Sequence, residues 1–449
     1  MKSWAKLILV LIVLAVMASA YGLRGAATVA VGYSAKQLCS GVFVAGLPES
    51  FVRERDIEPR MSILGPALSL LEVKTESSTG TVSSRLFGVE ATATHRTGLG
   101  CTLHWQGAGD PAMGLPMGGE LSPTLPQLVD AMEAAFSEPA EAGRNTLALI
   151  ASVKGERVME RYLPPVTAQT RMQSWSMNKS LMATWIGMRS ERGLIDPTIP
   201  VASTARGEAV LSALDPRLTL LHLLQMESGL DFEEKYCPGS DVTRMLYAEQ
   251  AMWKVPAESP QAYSPGTRFA YSSGDTVLAS YIWQRELRRP YQDWIAQEFA
   301  QPLGLESLVA ESDACGVQVG SSYVHMTARD WLRVGQLWLD AWHGRSDLLS
   351  QTWLRASVSA RPSDKLGRYG RGFWLNTHQA VFPGVPDNAF YAGGNAGQYV
   401  VVVPEWELVL VRLGLSAAQA DTGVATLLQE IQARLDSMGV AEVIEVTDD

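Results

Sequence analysis

The sequence predicts an α+β fold whose centre is one antiparallel sheet built from segments near both ends of a large domain. Three observations support this prediction: a β-hairpin pattern early in that domain, a second hairpin pattern near the C-terminus, and a mostly helical stretch between them. An amphipathic helix follows the second hairpin. This order packs terminal helices on the sheet and gathers the intervening helices into a lobe beside it.

Both hairpins consist of β-forming runs on either side of a turn. Leu147–Val153 and Arg157–Tyr162 flank Lys-Gly-Glu, and Tyr399–Val403 and Leu408–Leu413 flank Pro-Glu-Trp-Glu. The closing helix is Ala417–Met438, which has apolar residues at helical spacing. The helical segments between the hairpins are Leu181–Arg192, Leu218–Met226, Thr276–Glu286 and Ala328–Trp342.

Residues 1–20 have the pattern of a secretory signal. Lys2 and Lys6 form a short basic region, Leu7–Met17 is apolar without a break, and Ala18-Ser19-Ala20 supplies the small residues that a signal peptidase needs. We therefore expect an exported protein, periplasmic or extracellular. An uncleaved inner-membrane anchor through residues 7–23 is the alternative, and the sequence leaves both open.

Residues 21–120 are expected to form a small β-rich unit and a linker, ahead of a hydrolase-sized domain over 121–449. Thr81–Leu86 and Gly88–His95 alternate partly in polarity, as strands do. Gly107–Ser122 contains the Gly and Pro residues of a linker. Leu125–Ser137 has helical spacing and begins the larger domain.

Four cysteines follow the signal segment: Cys39, Cys101, Cys237 and Cys315. An even number of cysteines in an oxidising compartment permits two disulfides with three connectivities. Cys39–Cys101 with Cys237–Cys315 is the preferred pairing, because each pair then lies within one domain. Four buried thiols are the alternative, and the spacing suits no zinc site.

Charge and motifs exclude several classes of function. The formal net charge of −10 repels phosphate backbones, so nucleic acid is not an expected partner. The sequence has no P-loop, no GxGxxG, no HExxH and no CxxC, and we therefore predict no cofactor and no metal. It contains no pattern from which the oligomeric state could be predicted.

The first motif that could carry out catalysis is Ser176-Met177-Asn178-Lys179. If Ser176 opens a helix, Lys179 lies one turn later on the same side, where its amine can reach the hydroxyl. Burial lowers the pKa of a lysine, which could then accept the serine proton near pH 7. The free N–H of Ser176 at the helix start could stabilise an oxyanion. A capping serine followed by a surface lysine is the alternative.

A tyrosine and a glycine-rich strand could complete such a site. Tyr271 lies in a small-residue loop after a Pro-Gly turn, and a tyrosine that shares a proton with a neutral lysine can relay protons to a leaving group. The glycines of Gly393–Gln398, including Gly397, could let a substrate lie against a strand edge. The N–H of Gln398 is the candidate second oxyanion donor. A buried structural tyrosine and a plain glycine turn are the alternatives.

In this order and spacing, the three motifs resemble those of the penicillin-recognising serine hydrolases, which combine SxxK with a middle loop motif and an edge strand. Leu218–Leu230 is similar to the segment after the nucleophile helix of that superfamily, and Tyr369–Asn376 is similar to its YGxGFW strand. The resemblance covers roughly residues 130–449. It is closest to the branch of class C β-lactamases, serine esterases and 6-aminohexanoate-dimer hydrolases, and it implies a β-lactamase/transpeptidase-like fold.

The resemblance implies that Ser176 is the acylated nucleophile, Lys179 its proton partner and Tyr271 the second base. Two departures concern substrate binding. Ser273 stands where many relatives have an asparagine that holds a substrate amide, and Asn395 stands where they have a lysine or histidine that holds a substrate carboxylate. The missing cation argues against penicillin as the main substrate and favours a small linear amide or ester.

Three further residues near these motifs have weaker signals. His222 lies in an apolar helical stretch and is interpreted as a core histidine. Tyr236 and Asp241 are candidates for lining the substrate cleft, although a solvated loop is the favoured interpretation of both.

The expected function is therefore a serine hydrolase that cleaves a small amide or ester through an acyl-enzyme. One alternative is a β-lactamase or D,D-peptidase that acts on cell-wall-type substrates. The other is a non-catalytic envelope protein that binds a ligand in the same cleft, although such a protein has no need of serine, lysine and tyrosine together.

Overall fold

The computed structural model describes residues 22–104, 124–137, 143–204, 207–418 and 420–438. The predicted signal segment 1–20 and the predicted linker Gly107–Ser122 lie outside the described residues. Within those ranges, no helix combines the length and the apolar composition needed to cross a bilayer.

The described strands are β1 Glu72–Glu76, β2 Thr81–Leu86, β3 Val89–Arg96, β4 Gly100–His104, β5 Thr146–Val153, β6 Glu156–Tyr162, β7 Met172–Gln173, β8 Val309–Ala310, β9 Val324–Met326, β10 Trp374–Leu375, β11 Phe390–Gly394, β12 Gln398–Val403 and β13 Leu408–Gly414. They form antiparallel sheets with the orders β1-β2-β3-β4, β10-β11-β12-β13-β5-β6 and β7-β9-β8. Both predicted hairpins are present, as β5–β6 and β12–β13.

The described α-helices are α1 (residues 22–39), α2 Glu49–Val52, α3 Glu58–Met61, α4 Val129–Phe136, α5 Asn178–Glu191, α6 Ala209–Ser212, α7 Leu220–Leu224, α8 Asp241–Ala248, α9 Lys254–Ala257, α10 Ser273–Arg285, α11 Tyr291–Trp294, α12 Ala328–Trp342, α13 Gln351–Ser357 and α14 Val424–Met438. Short 3₁₀ and π segments link several of them. Each predicted helical segment overlaps one of these helices, with most of the ends shifted by a few residues.

The six-stranded sheet joins the two ends of the larger domain, as predicted. β13 pairs with β5 from Leu408 opposite Val153 to Gly414 opposite Thr146. One face of the sheet packs on α12, where Gly335 lies so close to β13 that an added Cβ would meet Val409 at 2.4 Å. The other face is covered by α4 and α14. The sheet is therefore buried on both faces and provides a rigid base for the site.

The N-terminal unit differs from the β-rich expectation. Its four-stranded sheet, β1–β4, contains both predicted strands, but residues 22–61 are largely helical. Ala27, Val31 and Leu38 of α1 repeat at helical spacing and are buried in the core that includes α5. Small residues are frequent in α1, so the helical spacing of its apolar residues is a weak signal in the sequence. The domain boundary near residue 120 stays a prediction.

One of the two predicted disulfides forms. Cys39 at the end of α1 is bonded to Cys101 in β4, with the Cα atoms 6.0 Å apart. The predicted Cys237–Cys315 pair is wrong in this structure, because both thiols are free and exposed. The carbonyl of Cys237 accepts the Thr243 hydroxyl at the start of α8, whereas the N–H of Cys315 donates to Asp313. Each cysteine is thus held by the bonds of its own loop.

Candidate active site

Ser176 lies in a short 3₁₀ turn, Trp175–Met177, that leads directly into α5. Ser174 holds this turn from behind, since its Oγ donates to the Ser322 carbonyl at 2.9 Å and its N–H donates to the Val324 carbonyl at 2.7 Å. Trp175 has a φ of +48°, a conformation that residues with side chains rarely adopt. Such a conformation persists only where the surroundings impose it, so the position of Ser176 is set by its neighbours.

Lys179 is buried one turn after Ser176, as the motif predicts for a helix. Its Nζ lies 3.2 Å from Ser176 Oγ, 3.0 Å from Ser273 Oγ and 3.4 Å from the Ser321 carbonyl. Burial lowers the pKa of Lys179 to about 8, against the opposing effect of Glu234 and of a second carboxylate, Asp275. An amine with this pKa is partly neutral at pH 7 and can accept a proton.

The start of α5 is held close to the YGxGFW segment. The hydroxyl of Ser180 donates to the Gly372 carbonyl at 2.5 Å. A Cβ added to Gly372 would lie 2.6 Å from the Lys179 carbonyl, so a larger residue would push the helix away. Leu181 and Trp185 on α5 are buried. This packing fixes the position of Lys179 relative to Ser176.

Tyr271 completes the cluster. Lys179 Nζ lies 4.8 Å from the centre of its ring. Burial raises the pKa of Tyr271, and a hydrogen bond with Ser176 offsets this rise in part. The ring stacks on Trp374 at 5.1 Å between centroids and meets Tyr369 edge-on at 5.8 Å. A phenol with a raised pKa keeps its proton at neutral pH, which suits a proton donor better than the second base that the resemblance implies.

The glycine strand runs beside the nucleophile turn. A Cβ at Gly394 would lie 2.3 Å from the Ser174 carbonyl, so the close approach requires glycine. Gln398 pairs with Gly394 across the hairpin, and its buried side-chain amide donates to the Gly414 carbonyl at 2.6 Å. The N–H groups of Ser176 and Gln398 stay predictions as oxyanion donors.

The residues predicted to bind substrate lie in two places. Ser273 contacts Lys179. The Tyr236 hydroxyl donates to Glu234 at 3.1 Å, on the other side of Ser273, and Tyr236 is exposed. Asn395 lies in the β11–β12 turn and accepts the N–H of the next residue at 2.9 Å.

Gly397 packs on the other side of that turn. A Cβ there would lie 2.4 Å from Arg412 Nη1, and its carbonyl accepts a hydrogen bond from the same guanidinium. The described contacts of Gly397 are with Arg412, and its role in substrate binding stays a prediction. The glycine is needed because the arginine side chain occupies the space where a side chain would go.

Sequence reasoning missed Glu234. Its carboxylate accepts the Ser273 N–H at 2.7 Å and the Ser273 hydroxyl at 2.6 Å. The nearby Tyr236 drew attention to this loop, but no spacing rule connects a loop acid to a serine 39 residues later. Only the folded chain brings them together.

The remaining candidates have local structural partners. His222 Nδ1 lies 3.0 Å from the Thr219 hydroxyl, in a capping box at the start of α7. Asp241 accepts the N–H of Glu233 at 3.0 Å and so closes the loop that precedes α8. Neither residue contacts Ser176, Lys179 or Tyr271 through any described hydrogen bond.

The sequence matches the family model Beta-lactamase over residues 128–429, which is well over half of the chain. No curated protein sequence matches this one. Among solved structures, a penicillin-binding protein homologue from Caulobacter crescentus has a TM-score of 0.56 at 16% identity, covering 71% of this chain and 100% of that one.

Two hydrolases have similar structures. A D-stereospecific amidohydrolase from Streptomyces sp. has a TM-score of 0.53 at 17% identity, over 70% of this chain and 99% of that one. EstCE1, a hydrolase with promiscuous acyltransferase activity, has a TM-score of 0.56 at 14% identity, over 69% of this chain and 98% of that one. At these identities the likeness concerns the fold alone.

Proposed function

We propose, from the premise that this chain belongs to the beta-lactamase family and is a serine hydrolase, that Ser176 attacks a small linear amide or ester and is transiently acylated. The family match confirms the superfamily and the fold predicted from the sequence. The observation that carries the proposal is the position of Lys179 Nζ, buried and 3.2 Å from Ser176 Oγ. A serine hydroxyl becomes a useful nucleophile when a neighbouring base removes its proton.

In the proposed acylation, neutral Lys179 takes the hydroxyl proton while Ser176 Oγ bonds to the substrate carbonyl carbon. The carbonyl oxygen becomes an oxyanion, for which the N–H groups of Ser176 and Gln398 are the proposed donors. Tyr271 then gives its phenolic proton to the leaving nitrogen or oxygen as the C–N or C–O bond breaks. The proton on Lys179 restores the phenol, so the site is neutral again in the acyl-enzyme.

Deacylation follows the same route in reverse. Water takes the place of the leaving group. Its proton passes to the pair formed by Tyr271 and Lys179 while its oxygen attacks the acyl carbon. The proton returns to Ser176 Oγ as the acid product leaves. No further group is needed for proton balance, because lysine and tyrosine each begin and end the cycle in the same state.

The charges around the site favour a substrate without a carboxylate near the scissile bond. The side chains whose charge acts on Lys179 are the carboxyl groups of Glu234 and, more weakly, of Asp275. The third motif has the neutral Asn395 where relatives have a cation. A penicillin carboxylate would meet repulsion here instead of a paired cation. The names of two structural neighbours, an amidohydrolase and an acyl-transferring hydrolase, agree with this preference.

The test uses the full-length protein with three probes: p-nitrophenyl butyrate, a fluorophosphonate and penicillin G. We expect the wild type to turn over the ester and to gain one fluorophosphonate adduct on the peptide that contains Ser176. Ser176→Ala should lose both properties while keeping its melting temperature. Intact-mass spectrometry and steady-state kinetics give the result.

The other outcomes identify the alternatives. A penicillin adduct that forms faster than ester acylation would favour the β-lactamase or D,D-peptidase function. Equal, negligible rates in wild type and Ser176→Ala, without any adduct, would favour an envelope binding protein.

We also propose that the protein is exported. The support is the predicted signal segment and the Cys39–Cys101 disulfide, a bond typical of oxidising compartments. Fractionation of cells that express the full chain tests export, and the mass of the exported protein shows whether residues 1–20 are removed or retained as an anchor.

A further inference from the structure

We propose that Glu234 is a positioning residue that acts through Ser273 to direct the lone pair of Lys179 at Ser176. This inference rests on the proposed function of Ser176 and Lys179. The observation behind it is a continuous hydrogen-bonded chain from Lys179 Nζ to Ser273 Oγ at 3.0 Å and from Ser273 Oγ to Glu234 at 2.6 Å.

The donor and acceptor roles in this series of hydrogen bonds are set at the Glu234 end. A carboxylate can only accept hydrogen bonds, so the Ser273 hydroxyl must donate its proton to Glu234. The hydroxyl has one proton, and its remaining capacity is that of an acceptor. Towards Lys179, Ser273 Oγ can therefore only accept.

Only one orientation of the Lys179 amine then satisfies its hydrogen bonds. A neutral amine has two N–H bonds and one lone pair. Its two described acceptors other than Ser176 are Ser273 Oγ at 3.0 Å and the Ser321 carbonyl at 3.4 Å. With both N–H bonds used there, the lone pair faces Ser176 Oγ at 3.2 Å, which is the orientation that proton removal needs.

Glu234 is itself fixed by three donors. The Ser273 N–H at 2.7 Å and the Ser273 hydroxyl bind separate carboxylate oxygens, and the Tyr236 hydroxyl binds one of them at 3.1 Å. This clamp joins the loop before α8 to the start of α10. The adjacent acid, Glu233, points elsewhere and pairs with Lys235 at 2.7 Å.

The same carboxylate acts on the charge of the lysine. Burial lowers the pKa of Lys179, and Glu234 raises it more than Asp275 does. Asp275, on α10, has a pKa raised to about 7 by burial. The other titratable groups around the site are phenols from four segments of chain: Tyr236, Tyr271, Tyr369 and Tyr391.

Glu234→Gln should therefore change three measured quantities. The pKa of Lys179 should fall by about one unit, because an opposing charge is removed while burial remains. The acid limb of kcat/KM should shift to lower pH by the same amount. The plateau kcat should fall about tenfold, because an amide can donate to Ser273 and so release the amine from its orientation.

The experiment measures the lysine independently of activity. Competitive acetylation by trace acetic anhydride over pH 6–11, read by mass spectrometry of the Lys179 peptide, gives its pKa in a Ser176→Ala background. Glu233→Gln is the matched control, since it removes an acid of the same loop that does not contact Ser273. Kinetic pH profiles of the two substitutions in the wild-type background complete the set.

A shift toward acid of at least half a unit in Glu234→Gln, with none in Glu233→Gln, supports the proposal. Equal shifts in both variants, or a shift in neither, overturn it and reduce Glu234 to a loop clamp. If the lysine pKa shifts as expected but the wild type never acylates Ser176, the proposed function fails while the Lys179–Ser273–Glu234 chain stands.

Discussion

Two lysines are buried among the residues that the structure describes, and the groups that they contact differ. Lys36 on α1 and Lys179 on α5 are both about 1% exposed. Lys36 makes a direct ion pair with the buried Glu311, which also accepts hydrogen bonds from Ser40 and from the N–H of Cys101. Lys179 contacts hydroxyls and a carbonyl, and Ser273 lies between it and the carboxylate of Glu234.

Burial lowers the pKa of both lysines, and the two sites differ in the partner that each lysine contacts. Burial alone would raise the pKa of Glu311, but Lys36 and His325 together lower it to about 2, so the carboxylate stays charged at every ordinary pH. That pair links the N-terminal unit to the hydrolase core. Around Lys179 the described hydrogen bonds go to hydroxyls and a carbonyl, Glu234 and Asp275 act on its charge without direct contact, and burial lowers the pKa to about 8. Lys36 is thus part of a buried ion pair, whereas Lys179 is the proposed base.

The strongest test of this contrast is Lys179→Met. We expect kcat/KM for p-nitrophenyl butyrate to fall at least ~1000-fold, because the serine loses its base. The free energy of unfolding should rise by about 1–2 kcal/mol, since an apolar side chain replaces a buried amine. Kinetics and urea denaturation measure the two effects. A large loss of stability would mean that Lys179 is structural, as Lys36 is.

Lys36→Met should give the opposite pattern. Glu311 would remain buried without its cation, and we expect a loss of about 3–5 kcal/mol of stability. The kcat of the folded fraction should change less than threefold, because Lys36 contacts none of Ser176, Lys179 and Tyr271 through a described hydrogen bond. Urea denaturation measures the loss, and the exposed Lys74→Met is the control. Stability equal to that control would contradict the structural role.

Tyr271→Phe sharpens the comparison from the catalytic side. We expect kcat to fall at least ~100-fold with little change in stability, because the ring still stacks on Trp374 while the proton donor is gone. Single-turnover kinetics with an amide and an activated ester measure the effect. The amide should suffer more, since its leaving group needs the proton; equal losses would argue against proton donation by tyrosine.

The smallest expected effect is the pH dependence of the wild type. Lys179 works as a base only when neutral, and its pKa of about 8 lies below that of a free lysine. The neutral fraction grows as the pH rises, so kcat/KM should increase about tenfold from pH 7 to a plateau above pH 9. A profile that is flat over this range would assign the base role to another group.

Much of the fold could be predicted because its signals are local. The hairpins β5–β6 and β12–β13 have alternating runs around a turn, and α12 has a helical period that ends where predicted. Residues 22–61 are largely helical, and the frequent small residues of α1 leave little periodicity from which that helix could be predicted. The unbonded Cys237 and Cys315 show the corresponding limit for disulfides, since cysteine counting says nothing about which loops meet.

The sequence by itself determined the spacing: Lys179 follows Ser176 by three residues, which puts the two side chains on the same side wherever that stretch is helical. Only the tertiary structure decided that Glu234 clamps Ser273, that Gly394 admits the Ser174 carbonyl, and that Gly397 packs on Arg412. These contacts join residues far apart in the chain. Their geometry depends on how sheet and helices pack, which no local pattern encodes.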